Sequence, residues 1–190
     1  MKNEEVITEN TELSSRMMRK THAKRNEIRE WILSLIIALV AALLLRLFVF
    51  EFTGIDMSSM EPTLNTDNYV FMEKVTYWFT EPAYGDVVIC KFPNSKDIYV
   101  KRVIGVEGDV LEVRDGSLYI NGKADTTYFS DYMNGTLPPT VVPDNCIYVM
   151  GDNRNVSIDS RDSGVGPISL DKVLGKALFV IWPLDQIRAL

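Results

Sequence analysis

Residues 98–120 read IYVKRVIGVEGDVLEVRDGSLYI. Three short runs, Ile98–Val106, Val110–Val113 and Ser117–Ile120, are rich in β-branched and aromatic residues, which favour a pleated strand. Glu107-Gly108-Asp109 breaks the first from the second. Asp115-Gly116 joins the second to the third, and an Asp-Gly pair between alternating apolar residues signals a tight hairpin. The same pattern extends outward. Tyr69–Lys74, Asp86–Phe92, Cys146–Met150 and Lys176–Trp182 read as further strands, with turn signals at Glu81-Pro82, Tyr84-Gly85-Asp86 and Asn121-Gly122. One soluble helix is expected, near Ser169–Leu174 with Ser169 as its N-cap. Thr126–Pro143 holds Gly135, Pro138, Pro139 and Pro143 and reads as an irregular excursion, with 114–143 as a possible small subdomain. The prediction is a mainly β, antiparallel body over 51–190.

Residues 31–50, WILSLIIALVAALLLRLFVF, are of a different kind. All but Arg46 are apolar or small. Twenty helical residues span about 30 Å, the thickness of a bilayer core. A buried core helix is seldom apolar on every side for so long. A cleaved signal segment has a shorter apolar stretch and a small-residue cleavage site, and Glu-Phe-Thr-Gly-Ile-Asp after Phe50 offers none. A retained transmembrane anchor is the expected reading, with Arg46 reaching toward the headgroups. Arg16, Arg19, Lys20, Lys24, Arg25 and Arg29 precede it; Glu51 and Asp56 follow it. The positive-inside rule then makes 1–30 a cytoplasmic polar tail and places 51–190 outside, on a single-pass protein of the cell membrane.

Composition narrows the chemistry. The 190 residues include one histidine, His22, and two cysteines, Cys90 and Cys146. A zinc site of two or three histidines is impossible, and no C-x-x-C spacing exists. A Ser-His-Asp hydrolase would have to recruit His22 from the polar tail. The body after residue 50 carries 12 basic against 20 acidic residues, which argues against nucleic-acid binding. An external disulfide is permitted, but both cysteines sit in apolar strands, and unpaired thiols are slightly favoured.

Three segments are chemically unusual. The first is Met57-Ser58-Ser59-Met60-Glu61-Pro62-Thr63-Leu64; a serine before such a turn is ordinarily only a turn residue. The second is Tyr99-Val100-Lys101-Arg102-Val103-Ile104-Gly105. Alternation puts Lys101 on one face with Tyr99 and Val103, and Arg102 on the other with Val100 and Ile104. One of the two charges therefore points among apolar neighbours, unless the strand is a solvated edge. The third runs from Gly151-Asp152-Asn153-Arg154 to Ser157-Ile158-Asp159-Ser160-Arg161, which alone would pass for a polar loop.

In order, an apolar anchor, Ser-Met-x-Pro-Thr-Leu, Gly-Asp-Val-Val, Lys-Arg-Val-Ile-Gly-x-x-Gly-Asp, Gly-Asp-Asn-Arg and Ser-x-Asp-Ser-Arg make one composite pattern. Over about residues 30–185 the chain resembles the bacterial type I signal peptidases, membrane-bound Ser/Lys endopeptidases, in their compact Gram-positive form. The resemblance implies an antiparallel, partly open barrel. It implies Ser59 as nucleophile, Lys101 as general base and Ser157 as the serine that hydrogen-bonds and orients the lysine amine. It makes Asp159 and Arg161 a bracing ion pair and Asp152 and Arg154 structural members of the same loop. It implies no metal and no cofactor. Its partners would be signal-peptide-bearing preproteins, the lipid bilayer and a nearby secretion translocon. Cleavage would follow small residues at the first and third positions before the scissile bond. Ile55, Met57, Met60, Leu64, Tyr99 and Val100 match the pocket walls, beside a peptide added as a strand between Phe52–Met57 and Ile98–Lys101. Met57 stands where serine or glycine is usual, so it brings no second oxyanion donor; Ser58 stands where glycine is common. Asn155-Val156 replaces the usual Asp-Asn.

The chemistry is consistent with those roles. Serine attacks a carbonyl only when a base takes its proton. Lysine, ordinarily protonated at pH 7, becomes such a base when burial lowers its pKa. Two other classes remain open at this stage. Self-cleaving repressors share the Ser/Lys pair but carry a DNA-binding domain in place of an anchor. A membrane-tethered β module that binds exported proteins without cutting them is the non-enzymatic alternative.

Overall fold

The computed structural model describes residues 28–190 except 94 and 130. Most of the expected 1–30 tail, with His22 and five of the six bases before the apolar run, lies outside the described residues. Two units are present, divided after Arg46. In the first, helix α1 covers Ile28–Phe48 and exposes its apolar side chains all round. It starts three residues before the expected 31–50 span and stops short of Phe50, which opens a strand.

The second unit holds β1 (Phe50–Gly54), β2 (Tyr69–Glu73), β3 (Val87–Lys91), β4 (Ile98–Gly105), β5 (Val110–Arg114), β6 (Ser117–Ile120), β7 (Lys123–Asp125), β8 (Leu137–Val141), β9 (Cys146–Met150), β10 (Ile168–Ser169), β11 (Val173–Trp182) and β12 (Arg188–Ala189). The larger sheet runs β1-β2-β11-β3-β4-β9-β10, with β12 pairing β11; the smaller runs β7-β6-β5-β8. Every pairing described is antiparallel. Inward residues of β1's exit, β2, β3, β4 and β11 share one core: Ile55, Met60, Leu64, Val70, Met72, Val87, Ile89, Val100, Ala177 and Val180. Four neighbouring strands, β2, β11, β3 and β4, and the segment after β1 contribute to a single cluster because the sheet curls around it. Bulges in β11, between Ala177 and Phe179 and between Val180 and Trp182, add to that bend. The result is an antiparallel half-barrel.

The smaller sheet packs on the larger through Ile104, Leu111, Val113, Leu118, Tyr148 and Met150. Its Asp115-Gly116 turn has φ of 51° and 73°, the left-handed pair that a two-residue hairpin needs. Asn121-Gly122 repeats the device at 53° and 78° and adds β7, a strand absent from the sequence reading. The irregular stretch expected over Thr126–Pro143 is likewise corrected. Leu137–Val141 forms β8, paired only to β5 at the sheet's edge, where Pro138 and Pro139 need no amide hydrogen. The helix expected over Ser169–Leu174 is one 3-10 turn, Leu170–Lys172; Ser169 makes no side-chain cap, and Val173 and Leu174 belong to β11. Cys90 and Cys146 are unpaired, and burial pushes the Cys90 thiol up to about 12.

The outer face of β1-β2-β11 carries Phe52, Phe71 and Phe179 in register. Their ring centroids stand 5.7 and 6.4 Å apart across the strands. Phe52 and Phe179, with Tyr69, Trp182, Leu184 and Ile187, are exposed.

Gly175 shows how tightly β11 is held. A Cβ there would lie 2.3 Å from the Glu73 carbonyl oxygen, a backbone atom that cannot swing aside. Gly175→Ala should therefore lower stability by about 1–3 kcal/mol, the usual cost of overpacking. Thermal unfolding of the full chain in detergent checks this; an unchanged midpoint would remove the constraint.

Candidate active site

The serine-bearing segment leaves β1 and forms a 3-10 turn, Ser58–Met60. Met60 anchors the turn in the half-barrel core, at 1% exposure. Ser59 is thereby held on the surface of the core and not within it. Lys101 lies mid-strand in β4, whose neighbour β3 pairs Val88 with Lys101 and Val87 with Arg102. Alternation sends the two charged side chains to opposite faces. The sequence required one of them to meet apolar neighbours; both do. Lys101 is 1% exposed and Arg102 5%.

Each buried cation is treated differently. Arg102 is fully paired. Its Nε donates to Asp152 Oδ1 at 2.8 Å, its Nη2 to Asp152 Oδ2 at 2.7 Å, and its Nη1 to the Gly85 carbonyl at 2.8 Å. The Tyr128 ring stacks 4.0 Å from the guanidinium carbon. Lys101 has no carboxylate in contact among the described residues. Its Nζ is hydrogen-bonded to Ser59 Oγ at 2.6 Å. The stacked rings of Phe92 and Tyr99 stand about 6 Å from the amine. Burial pushes the Lys101 pKa below the ordinary lysine value, because a charged amine loses its water there. The nearby Asp159 carboxylate works against this shift, and Arg161 works with it. Arg161 grips Asp159 bidentately, at 2.8 Å on each carboxylate oxygen. The ion pair thus blunts the charge that would otherwise re-protonate the lysine.

The loop after β9 closes the site. Gly151 N–H donates to Asp159 Oδ2 at 3.0 Å, and Arg154 Nε to the Gly151 carbonyl at 3.0 Å. Arg161 Nη2 also donates to the Arg154 carbonyl, at 2.6 Å. Gly151 has no room for a side chain: a Cβ would lie 2.3 Å from both Ser157 Oγ and the Ser59 carbonyl oxygen. Asn153 clamps the serine turn from the same loop. Its N–H donates to the Ser59 carbonyl at 3.0 Å and its Nδ2 to the Ser58 carbonyl at 3.2 Å. Sequence reasoning missed Asn153, Gly151 and the partner of Arg102. The only signal was the Gly-Asp-Asn-Arg string itself, whose members reach three different elements.

Ser157 departs from expectation. Its hydroxyl donates to the Ile158 carbonyl at 3.4 Å and is not hydrogen-bonded to the Lys101 amine. It is turned toward Gly151, whose lack of a side chain leaves it that space. Leu64 also departs. It is fully buried in the core, held by its turn hydrogen bond to Met60, and does not line the groove.

That groove, of about 490 Å³, runs from Ser59 between the exit of β1 and the start of β4. Ile55, Met57, Met60, Tyr99 and Val100 line it. Both walls are strand edges. β1 ends its sheet, and β4 pairs with β9 only from Arg102 onward. The backbone of Ile98–Lys101 therefore faces the groove with one side free, as a strand-addition site requires.

A hydroxyl bonded to a buried, unpaired amine beside a peptide-wide groove is an arrangement suited to acyl transfer. Comparison with known proteins bears on the family. The family model "Signal peptidase, peptidase S26" matches residues 28–182. The chain is 38% identical to signal peptidase I of Bacillus licheniformis over 89% of its own length and 96% of the relative's. It is 37% identical to signal peptidase I S of Bacillus subtilis over 87% and 95%. A crystal structure of a signal peptidase I from Enterococcus faecalis, 28% identical, overlaps 51% of this chain and 97% of its own with a TM-score of 0.44. With a family match that takes in both the apolar helix and every strand of the half-barrel's core, the chain belongs to the signal peptidase family, peptidase S26.

Proposed function

We propose that this peptidase removes signal peptides from preproteins by a Ser/Lys acyl-enzyme mechanism. The observation that carries the reading is the 2.6 Å contact between Ser59 Oγ and an amine whose pKa burial lowers. With Lys101 neutral, the hydroxyl donates its proton to Nζ as Ser59 attacks the scissile carbonyl. Lys101 then passes that proton to the leaving amine. A water, deprotonated by the same amine, hydrolyses the acyl-enzyme. The backbone N–H of Ser59 serves as an oxyanion donor; Met57 adds none from its side chain. Asp152, Arg154, Asp159 and Arg161 hold the loop, and Ser157 packs over Gly151 against the serine turn.

An extended preprotein fits the groove as an added strand. Alternate side chains then enter between Ile55, Met57, Met60, Tyr99 and Val100, and the half-exposed Met57 favours small residues at the first and third positions before the bond. α1 is long and apolar enough to cross a bilayer; the charge order supports an orientation with the peptidase unit outside the cell, and preprotein substrates favour a position near the translocon. The exposed aromatic row on β1-β2-β11 suits contact with lipid headgroups.

Detergent-solubilised protein incubated with a precursor bearing an Ala-x-Ala site tests the mechanism. Ser59→Ala and Lys101→Ala should each lower kcat/KM by about 10³-fold or more. Normal cutting by either variant refutes the dyad. The pH profile is a separate check. The free base is the active form, so kcat/KM should rise with pH through the lowered Lys101 pKa and level off well below 10.5, the ordinary lysine value. A flat profile between about pH 6 and 9 counts against lysine. For the topology, protease added outside intact cells should digest 51–190 and spare the tail; the opposite pattern reverses the orientation.

A further inference from the structure

The peptide groove is not the only cavity that reaches Ser59. A second one, of about 420 Å³, is lined by Met57, Ser59, Tyr99, Lys101, Val156 and Ile158, with Asp56 at its rim. The two cavities share Asp56, Met57, Ser59 and Tyr99, so they meet at the serine. They differ in the lysine. The groove toward Ile55 and Ile98 does not include Lys101, and the second cavity does.

This difference gives the substrate a direction. The group that donates a proton to the leaving amine must lie beside it. The chain after the scissile bond therefore belongs on the side where Lys101 is open to the cavity. On the Ser/Lys reading given above, the second cavity is the leaving-side subsite.

Its walls are chemically distinctive. Val156 and Ile158 flank Ser157 on a loop otherwise built from Gly, Asp, Asn, Arg and Ser. They are 62% and 64% exposed and belong to none of the three core clusters. Folding gains little from them in that position, and in the free enzyme both are wetted. With Met57 they give three apolar side chains converging on one concave surface at the reacting atoms, where a scattered exposed residue would need no explanation. Asp56, which lines both cavities, adds a carboxylate that repels an acidic side chain where they meet. We propose that this cavity is a specificity subsite for an aliphatic side chain on the first or second residue after the scissile bond. Val156 and Ile158 are its determinants, and acidic residues are disfavoured there.

Peptides identical up to the cut, with Leu, Ser or Asp at the first or the second position beyond it, test this on the detergent-solubilised full chain. Wild type should prefer Leu to Asp, at whichever of the two positions fills the cavity, by about tenfold in kcat/KM, the discrimination a modest apolar contact supplies. Val156→Ser combined with Ile158→Ser should shrink the Leu-to-Ser ratio toward unity. Ile158→Lys, a surface change with little folding consequence, should invert the Leu-to-Asp ratio by favouring Asp. Equal rates on all peptides at both positions, or ratios unmoved by either variant, overturn the subsite. If Ile158→Lys weakens binding to phosphatidylcholine vesicles and leaves the ratios alone, the patch touches lipid and the proposal falls. Ser59→Ala run on the same peptides separates the two levels. Cleavage that survives it removes the Ser/Lys reading and this subsite together; Ser59-dependent cleavage without discrimination removes the subsite alone.

Discussion

The arrangement around Ser59 turns on one amine buried out of reach of any carboxylate among the described residues. Lys101 is buried as deeply as a core valine, yet the only polar atom bonded to it among the described residues is Ser59 Oγ. A carboxylate in contact would stabilise the ammonium and abolish the base. The acids nearby are therefore already occupied. Asp152 is taken by Arg102, and Asp159 by Arg161. Two buried or half-buried ion pairs, which contribute little net stability on the usual accounting, here hold the nearby carboxylates out of contact with the lysine and offset part of their charge. The strand supplies the other half of the arrangement. Alternation along β4 separates two adjacent cations and puts each in its own environment, Arg102 among partners and Lys101 among Phe92, Tyr99 and Cys90.

Much of this was readable from the residues. Asp115-Gly116 announced its hairpin, and the four strands of the half-barrel core followed from β-branched runs at 69–74, 86–92, 98–106 and 176–182. Local rules failed where tertiary context decides. Lys123–Asp125 has no apolar alternation, yet the Asn-Gly turn before it pairs the segment with β6. Pro138 and Pro139 argue against a strand until it lies at an edge. Phe50–Gly54 merges with the apolar run of the helix and was hidden by it. In the site, Ser59 and Lys101 emerged from a composite motif. The pairing of Arg102 with Asp152, 50 positions away, has no local signature. Ser157 shows the reverse: its presence was legible, and the direction of its hydroxyl depended on the empty space over Gly151.

The half-barrel also divides its two faces by task. The inner face holds the core, and its open edges at β1 and β4 make the peptide groove. The outer face of β1-β2-β11 carries an aromatic row that a water-facing sheet would replace with polar residues. The same three strands thus connect a groove sized for an extended peptide with a surface of interfacial character.

The clamp by Asn153 has a temporal meaning. It joins the loop after β9 to the Ser58 carbonyl across 95 positions of chain, and Gly151 completes the contact from the same loop. A chain still being synthesised, with β1 to β9 made and residues after 150 yet to appear, has Ser59 and Lys101 but lacks both the Asn153 clamp and the β11 side chains that complete the core around Met60. The turn that carries Ser59 is fixed late, when about the last fifth of the polypeptide, residues 151–190, folds back. On the Ser/Lys reading proposed above, an unfinished copy is in this way kept from cutting until its own synthesis is done.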